Sequence, residues 1–245
     1  MTGDARFHVD VDGSVATITL DRPDRRNAQT PLTWLALGEI GEALADDIRI
    51  VVVRGEGSTF SAGLDRAMFS PEGIPGAPTF RDVACAPVVE GDRTIEAFQQ
   101  GFAWLSRPEI ISVAAVQGHA VGAGFQLALE ICATGRPVTS TEAARIGLVT
   151  TVVPPADLDA AVGALVEALL RPPREALAET KALLRSAGRR EPQQQLAAER
   201  QAQLRLLRRR ASEETVPGTD PSIEASGRRW PAWLTLMCGT SRWPS

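Results

Sequence analysis

The feature that most constrains this chain is the run Ile50-Val51-Val52-Val53-Arg54, which follows a helical stretch and stops at Gly55-Glu56-Gly57. A strand that is apolar throughout needs cover on both faces. Placed after a helix, it implies a sheet clothed by helices, an α/β fold. The 245 residues, 44% of them hydrophobic, suffice for one large domain or two small ones.

Around that strand the chain reads as alternating elements. Phe7–Val11 and Val15–Leu20 are β-rich and flank Asp12-Gly13-Ser14, an N-terminal hairpin. Asn27 or Thr30 can cap a helix that begins near Pro31, with Leu32, Leu35, Ile40 and Leu44 as its stripe. Residues 69–92 are rich in Pro and Gly and read as a long loop. A helix is expected over Arg93–Arg107, with Ile95, Phe98, Phe102 and Leu105 on one face. Glu109–Gln117 reads as a strand, and a helix is expected from Gly122–Gly124 onward. After the turn Thr134-Gly135-Arg136-Pro137, Ser140 caps a short helix and Leu148–Val153 reads as a strand. Three helices follow: from Asp157, with Leu158, Val162, Leu165 and Leu169 as its stripe; to about Ala187; and over Pro192–Arg210. The expected division is an α/β core over 1–153, a helical part over 154–210 and a tail over 211–245.

Composition excludes several functions. A net charge of −4 supplies no global field for nucleic acid or an anionic membrane. Three cysteines, Cys85, Cys132 and Cys238, make no disulfide framework, and two histidines make a metal site unexpected. Ile110–Leu129 carries no formal charge over 20 residues, but its glycines and polar residues fit a buried strand, loop and helix better than a membrane span. No targeting signal opens the chain, so the expected location is the cytoplasm.

Two loops carry the chemistry. Thr59-Phe60-Ser61-Ala62-Gly63-Leu64-Asp65 follows the first buried strand; small residues there let a ligand approach backbone N–H groups that can hold an oxyanion. The alternative is a tight turn without a ligand. Gly118-His119-Ala120-Val121-Gly122-Ala123-Gly124-Phe125-Gln126 follows another apolar strand and opens a helix, whose first-turn N–H groups lack intrahelical acceptors. Close helix–sheet packing explains that loop equally well. His119 invites a Ser–His pairing with Ser61 or Ser112, but no nucleophile elbow accompanies it, so it reads as a loop histidine. The cluster Arg205, Arg208, Arg209 and Arg210 reads as a solvated helix end.

Taken together these segments resemble the crotonase, or enoyl-CoA hydratase/isomerase, superfamily. Ile18-Thr19-Leu20-Asp21-Arg22-Pro23 with Arg26-Asn27-Ala28, the Phe60–Asp65 loop, Ser112–Gly124, and Thr134-Gly135-Arg136-Pro137-Val138 through Val152-Val153-Pro154 match its motifs in order, over residues 5–210. The resemblance implies a spiral of β-β-α units with C-terminal helices that mediate trimers or hexamers. It implies an acyl-CoA thioester as substrate, with coenzyme A as part of that substrate and no separate cofactor. Leu64 and Ala123 would supply the oxyanion-hole N–H groups, and Ala62, Gly63, Asp65 and Gly122 would line the bound thioester. Arg25 and Arg26 would lie near the CoA phosphates. Neither a nucleic acid nor a membrane is an expected partner.

The departures from the family are equally specific. Gln126 stands where family hydratases place a glutamate, and glutamine cannot take up a proton at neutral pH. The second hydratase glutamate belongs to a segment that is missing, because Leu129-Glu130-Ile131-Cys132-Ala133 runs straight into Thr134-Gly135. The chain therefore reads as a family enzyme, as an acyl-CoA-binding pseudo-enzyme, or as a non-catalytic subunit of an oligomer of intact homologues.

Overall fold

The computed structural model describes residues 6–120 and 138–214. The chain divides into two compact units between Glu199 and Arg200. The first is built on a four-stranded sheet in the order β1-β2-β3-β4. Strand β1 (Phe7–Asp12) and β2 (Val15–Leu20) form an antiparallel hairpin with Phe7 opposite Leu20 and Asp12 opposite Val15, and Gly13 turns the corner at φ 54°. β3 (Ile50–Gly55) runs parallel to β2, and β4 (Ile111–Ala115) runs parallel to β3 with Ile50 opposite Ile111.

The cover expected for β3 is present on both faces. Val51, with Ala16 and Ile18 of β2, packs on Leu37 of α1 (Pro31–Ala43) and on Trp104. Ile50 and Val52 face the other way with Ala115, against Val162, Val166, Leu169 and Leu170 of α5 (Leu158–Leu170). Alternate residues of one strand thus reach two helical layers. Arg49 fastens the end of α5 to the sheet by donating to the carbonyls of Leu170 (3.2 Å) and Pro172 (2.6 Å).

The rest of the helical order is α2 (Phe80–Cys85), α3 (Val88–Ala103), α4 (Ser140–Arg145), α6 (Arg174–Ala187) and α7 (Pro192–Glu214). Several boundaries differ from the sequence reading. The stretch 69–92 is not all loop: Thr79 and Asp82 form a reciprocal cap that starts α2, and α3 begins at Val88, five residues before Arg93. Those Thr79 donors hold the Asp82 carboxyl below its ordinary value. Of the two candidate caps Thr30 is the one used for α1, bonding reciprocally with Thr33, while Thr139 rather than Ser140 caps α4. Leu148–Val153 is not a strand. The N–H groups of Leu148 and Val149 turn back onto the carbonyl of Ala143, and the segment pairs with no strand among the described residues. β4 is shorter than Glu109–Gln117, and α7 continues four residues past Arg210. The helix expected at Gly122–Gly124, the turn at 134–137 and the tail from 215 lie outside the described residues.

Helix faces also shift. Leu35 of α1 and Ile95 and Phe102 of α3 are exposed, because α1 and α3 cross on glycines rather than on those residues. Gly38 lies against Gly101, Gly41 lies under the Trp104 ring, and Gly101 rests on the backbone of Trp34. Trp34 fills the angle beside the crossing, 5.1 Å from the Phe98 ring, and the Trp104 indole donates to the carbonyls of Leu37 and Gly101 at 3.0 Å each. In α5 Leu165 is exposed and Val166 packs in its place.

At the entry to β4, Lys181 of α6 donates to the carbonyls of Leu105 (3.1 Å), Arg107 (2.8 Å) and Ile110, and Arg185 donates to Ser106 at 2.8 Å. Burial, reinforced by the Arg185 charge and opposed by Glu109, holds the Lys181 ammonium below the usual lysine value.

Two substitutions test this packing. A Cβ added at Gly101 would overlap the Trp34 carbonyl. Overpacking costs about 1–3 kcal/mol, more than the roughly 1 kcal/mol that alanine gains over glycine in a helix. Gly101→Ala is therefore expected to lower the urea midpoint, and an unchanged midpoint would mean a wider crossing. Lys181→Met strips the donor from the 105–110 turn and is expected to remove about 1.5–3 kcal/mol, the scale of a charged hydrogen bond, in the same titration.

Candidate functional site

The carboxyl ends of β2, β3 and β4 open on one edge of the sheet, where open α/β sheets place their ligands. Three loops meet there. Gly55 ends β3 because a Cβ would meet the Phe60 carbonyl at 2.5 Å and the Asn27 amide at 2.7 Å. The loop it releases, 56–65, is then held from both sides. On one side Phe60 N–H donates to Gln117 O (2.8 Å) and Ser61 N–H to His119 O (3.1 Å). On the other, Ala62 N–H donates to Arg26 O (2.8 Å), Gln29 N–H to Gly63 O (2.6 Å) and Asp65 N–H to Gln29 O (2.8 Å). Gly63, at φ 79°, supplies the bend between them.

Within this frame one donor stands apart. From Phe60 to Asp65 every backbone N–H but that of Leu64 has an acceptor among the described residues, Gly63 N–H donating to Ser61 Oγ at 3.2 Å. Leu64 is half-buried and its side chain packs with Trp34, Met68 and Ile74, so its amide sits at the wall of an apolar cluster. A fixed N–H beside apolar groups is suited to a developing negative charge on a carbonyl oxygen.

Asn27 organises the neighbouring turn. It is buried, has φ 54°, accepts from Arg22 N–H at 2.9 Å through Oδ1, and donates through Nδ2 to Glu56 O (2.9 Å) and Thr59 O (2.7 Å). Arg22 is buried as well, donating to Ala28 O at 2.6 Å and to Asp65 Oδ2 at 3.1 Å. The other Asp65 oxygen accepts from Ala67 N–H at 3.0 Å and caps the turn Arg66–Phe69. Asp65 is thus an ion-paired cap that holds the loop's far end.

The residues expected at the site divide by position. Ala62, Gly63, Leu64 and Asp65 are assembled as one loop, and Arg25 and Arg26 are exposed on the adjoining loop. Gly122, Ala123 and Gln126 lie outside the described residues. The Ser–His pairing is absent at Ser61: its buried hydroxyl donates to Asn27 O at 2.9 Å, and His119 meets Ser61 through backbone only. Gln29 was not singled out by motif. It is the residue whose backbone brackets Leu64, and its side chain links Ser61 to Trp34. A polar residue two places after the asparagine, with tryptophan five further on, was the available signal. No group of His, Cys, Asp and Glu among the described residues could hold a metal ion, and no described helix is long and apolar enough to cross a membrane.

This geometry has close counterparts among known proteins. A Thermobifida fusca YX protein classed as an enoyl-CoA hydratase and solved in complex with acetoacetyl-CoA superposes with a TM-score of 0.77 at 40% identity, covering 84% of this chain and 96% of that one. EchA13 of Mycobacterium tuberculosis H37Rv, classed as an enoyl-CoA hydratase, is 35% identical over 136 residues, 50% of this chain. The chain spans 42% of EchA13's length, and the same share of other curated relatives. YhaR of Bacillus subtilis, of the enoyl-CoA hydratase/isomerase class, is 28% identical over 252 positions that take in 83% of this chain and 91% of YhaR. Since 83% of 245 is about 203, about 50 of those positions face no residue here. The enoyl-CoA hydratase/isomerase family profile matches residues 10–131 and 125–218, two stretches that overlap at 125–131. With its α/β sheet and these matches, the chain belongs to the enoyl-CoA hydratase/isomerase family of the crotonase superfamily.

Proposed function

We propose that this protein binds acyl-CoA thioesters in the cytoplasm, with the thioester oxygen on the N–H of Leu64 and, as second donor, that of Ala123. The observation that carries the reading is the Leu64 amide, left without an acceptor among the described residues while every neighbouring N–H is tied down. Exposed Arg25 and Arg26, one loop away, suit the phosphates of coenzyme A. The bound acetoacetyl-CoA of the T. fusca relative supports the same ligand class.

Hydration of a 2-enoyl thioester also needs a base for water and an acid for the α-carbon, each worth about 10² to 10⁴-fold. The first position is Gln126. The second we assign to the segment that the overlap at 125–131 and the unmatched YhaR positions leave out of this chain. Backbone donors polarise a thioester but deliver no proton. The reading is therefore an acyl-CoA binder with little hydratase chemistry of its own. The absent segment also favours a second reading, a non-catalytic subunit within a trimer or hexamer; exposed Leu184 and Leu196 of α6 and α7 are consistent with contacts of that kind.

Calorimetric titration with a saturated acyl-CoA is expected to give binding weaker than that of an intact relative, and a folded chain giving no heat at millimolar ligand would reject the proposal. Loss of enoyl-thioester absorbance with crotonyl-CoA is expected to stay near background for both the natural chain and Gln126→Glu, because one carboxylate replaces half of a pair. Turnover of roughly 10 per second, an ordinary enzyme's rate, would show another acid in place.

A further inference from the structure

We infer that Gln29 is a positioning residue for the Leu64 N–H, and that the relay Trp34–Gln29–Ser61 sets how strongly a bound thioester is polarised. The inference rests on the acyl-CoA reading and extends it to a residue outside the loop itself. Gln29 holds Leu64 by backbone from both sides, its N–H on Gly63 O at 2.6 Å and its carbonyl under Asp65 N–H at 2.8 Å. That pairing alternates along the chain, so the Leu64 amide faces away from Gln29.

The side chain then fixes the backbone. Trp34 Nε1 donates to Gln29 Oε1 at 3.0 Å, which orients the amide, and Gln29 Nε2 donates to Ser61 Oγ at 3.3 Å. Ser61 Oγ gives its one proton to Asn27 O at 2.9 Å and takes a second donor, Gly63 N–H, at 3.2 Å. A hydroxyl has one donor and two acceptor sites, and all three are used. Trp34 is in turn held against Phe98 at 5.1 Å, in the same apolar cluster as Leu64. A swing of the Gly63–Leu64 peptide must break the Gln29 N–H to Gly63 O bond, and the saturated Ser61 set holds both Gln29 and the Gly63 N–H in place beside it, so the donor stays aimed before ligand arrives.

The test separates holding the thioester from polarising it. Gln29→Met keeps length and volume but removes both side-chain bonds. The probes are CoA itself, acetoacetyl-CoA, and a conjugated dienoyl-CoA whose absorbance moves to the red when its carbonyl is polarised. For Gln29→Met the expected result is CoA affinity within about twofold of the natural chain, loss of most of the red shift, and about tenfold weaker acetoacetyl-CoA, the factor one lost hydrogen bond gives. Trp34→Phe, which keeps a ring beside Phe98 but leaves Gln29 Oε1 without that donor, is expected to give an intermediate shift even if Gln29→Met fails to fold. A natural chain that binds the dienoyl-CoA without any red shift overturns the oxyanion reading and this one with it. A full shift in a folded Gln29→Met, or in Trp34→Phe, overturns the positioning role alone.

Discussion

The side-chain amide of Asn27 is the contact on which the site's geometry depends. It binds the backbone of Arg22 on its own loop and of Glu56 and Thr59 on the next, while the backbone carbonyl of Asn27 accepts the Ser61 hydroxyl. Two loops leaving neighbouring parallel strands are thereby locked at one separation. Its φ of 54° is tolerated by asparagine better than by most residues. Each of these bonds is worth about 0.5–1.5 kcal/mol in net stability, but an unpaired buried amide or carbonyl would cost about 1–3 kcal/mol, so the cluster holds together or fails together. The order in the 60–65 loop follows from that anchoring, and the Leu64 amide inherits its direction from it.

Much of the frame was legible because it is written in short-range chemistry. The hairpin at Asp12-Gly13-Ser14, the two-sided burial of β3, the Pro31 helix start and the loop that leaves β3 all follow from strand composition and glycine placement. What was not legible depends on neighbours. The α1–α3 crossing is made on Gly38, Gly41 and Gly101; Leu32, Ile40, Leu44, Phe98 and Leu105 of the expected stripes do pack, whereas Leu35 and Ile95 face outward, because a count of large apolar residues cannot see where glycines let two helices meet. The Thr79–Asp82 cap overrode a glycine- and proline-rich stretch that reads as loop. Leu148–Val153 has strand composition but folds back on Ala143, and a strand exists only where a partner strand is paired with it.

The candidate site was half legible for a different reason. The family resemblance singles out Leu64 by its place between Gly63 and Asp65, and the amide without an acceptor among the described residues of that loop is the same one. Gln29 and Trp34 bear on the same amide through a relay whose members are distant in kind and in role, and only coordinates bring them together. Asp65 shows the reverse case. The resemblance places Asp65 along the bound thioester, yet its two oxygens are occupied by Arg22 and by the Ala67 amide.

A division of labour between backbone and side chain explains how a chain of this family can keep one half of its chemistry and lose the other. The Leu64 donor is a peptide N–H. It survives any substitution that preserves the turn at Gly63 and the clamps at Arg26, Gln29 and Gln117. A proton-transfer step instead requires a titratable side chain at one spot, which a glutamine cannot supply. Among the described residues β2 and β3 keep their helical cover on both faces, and they carry the first donor loop. In the proposed reading, binding and carbonyl polarisation rest on the backbone of this frame, whereas proton transfer rests on side chains outside it.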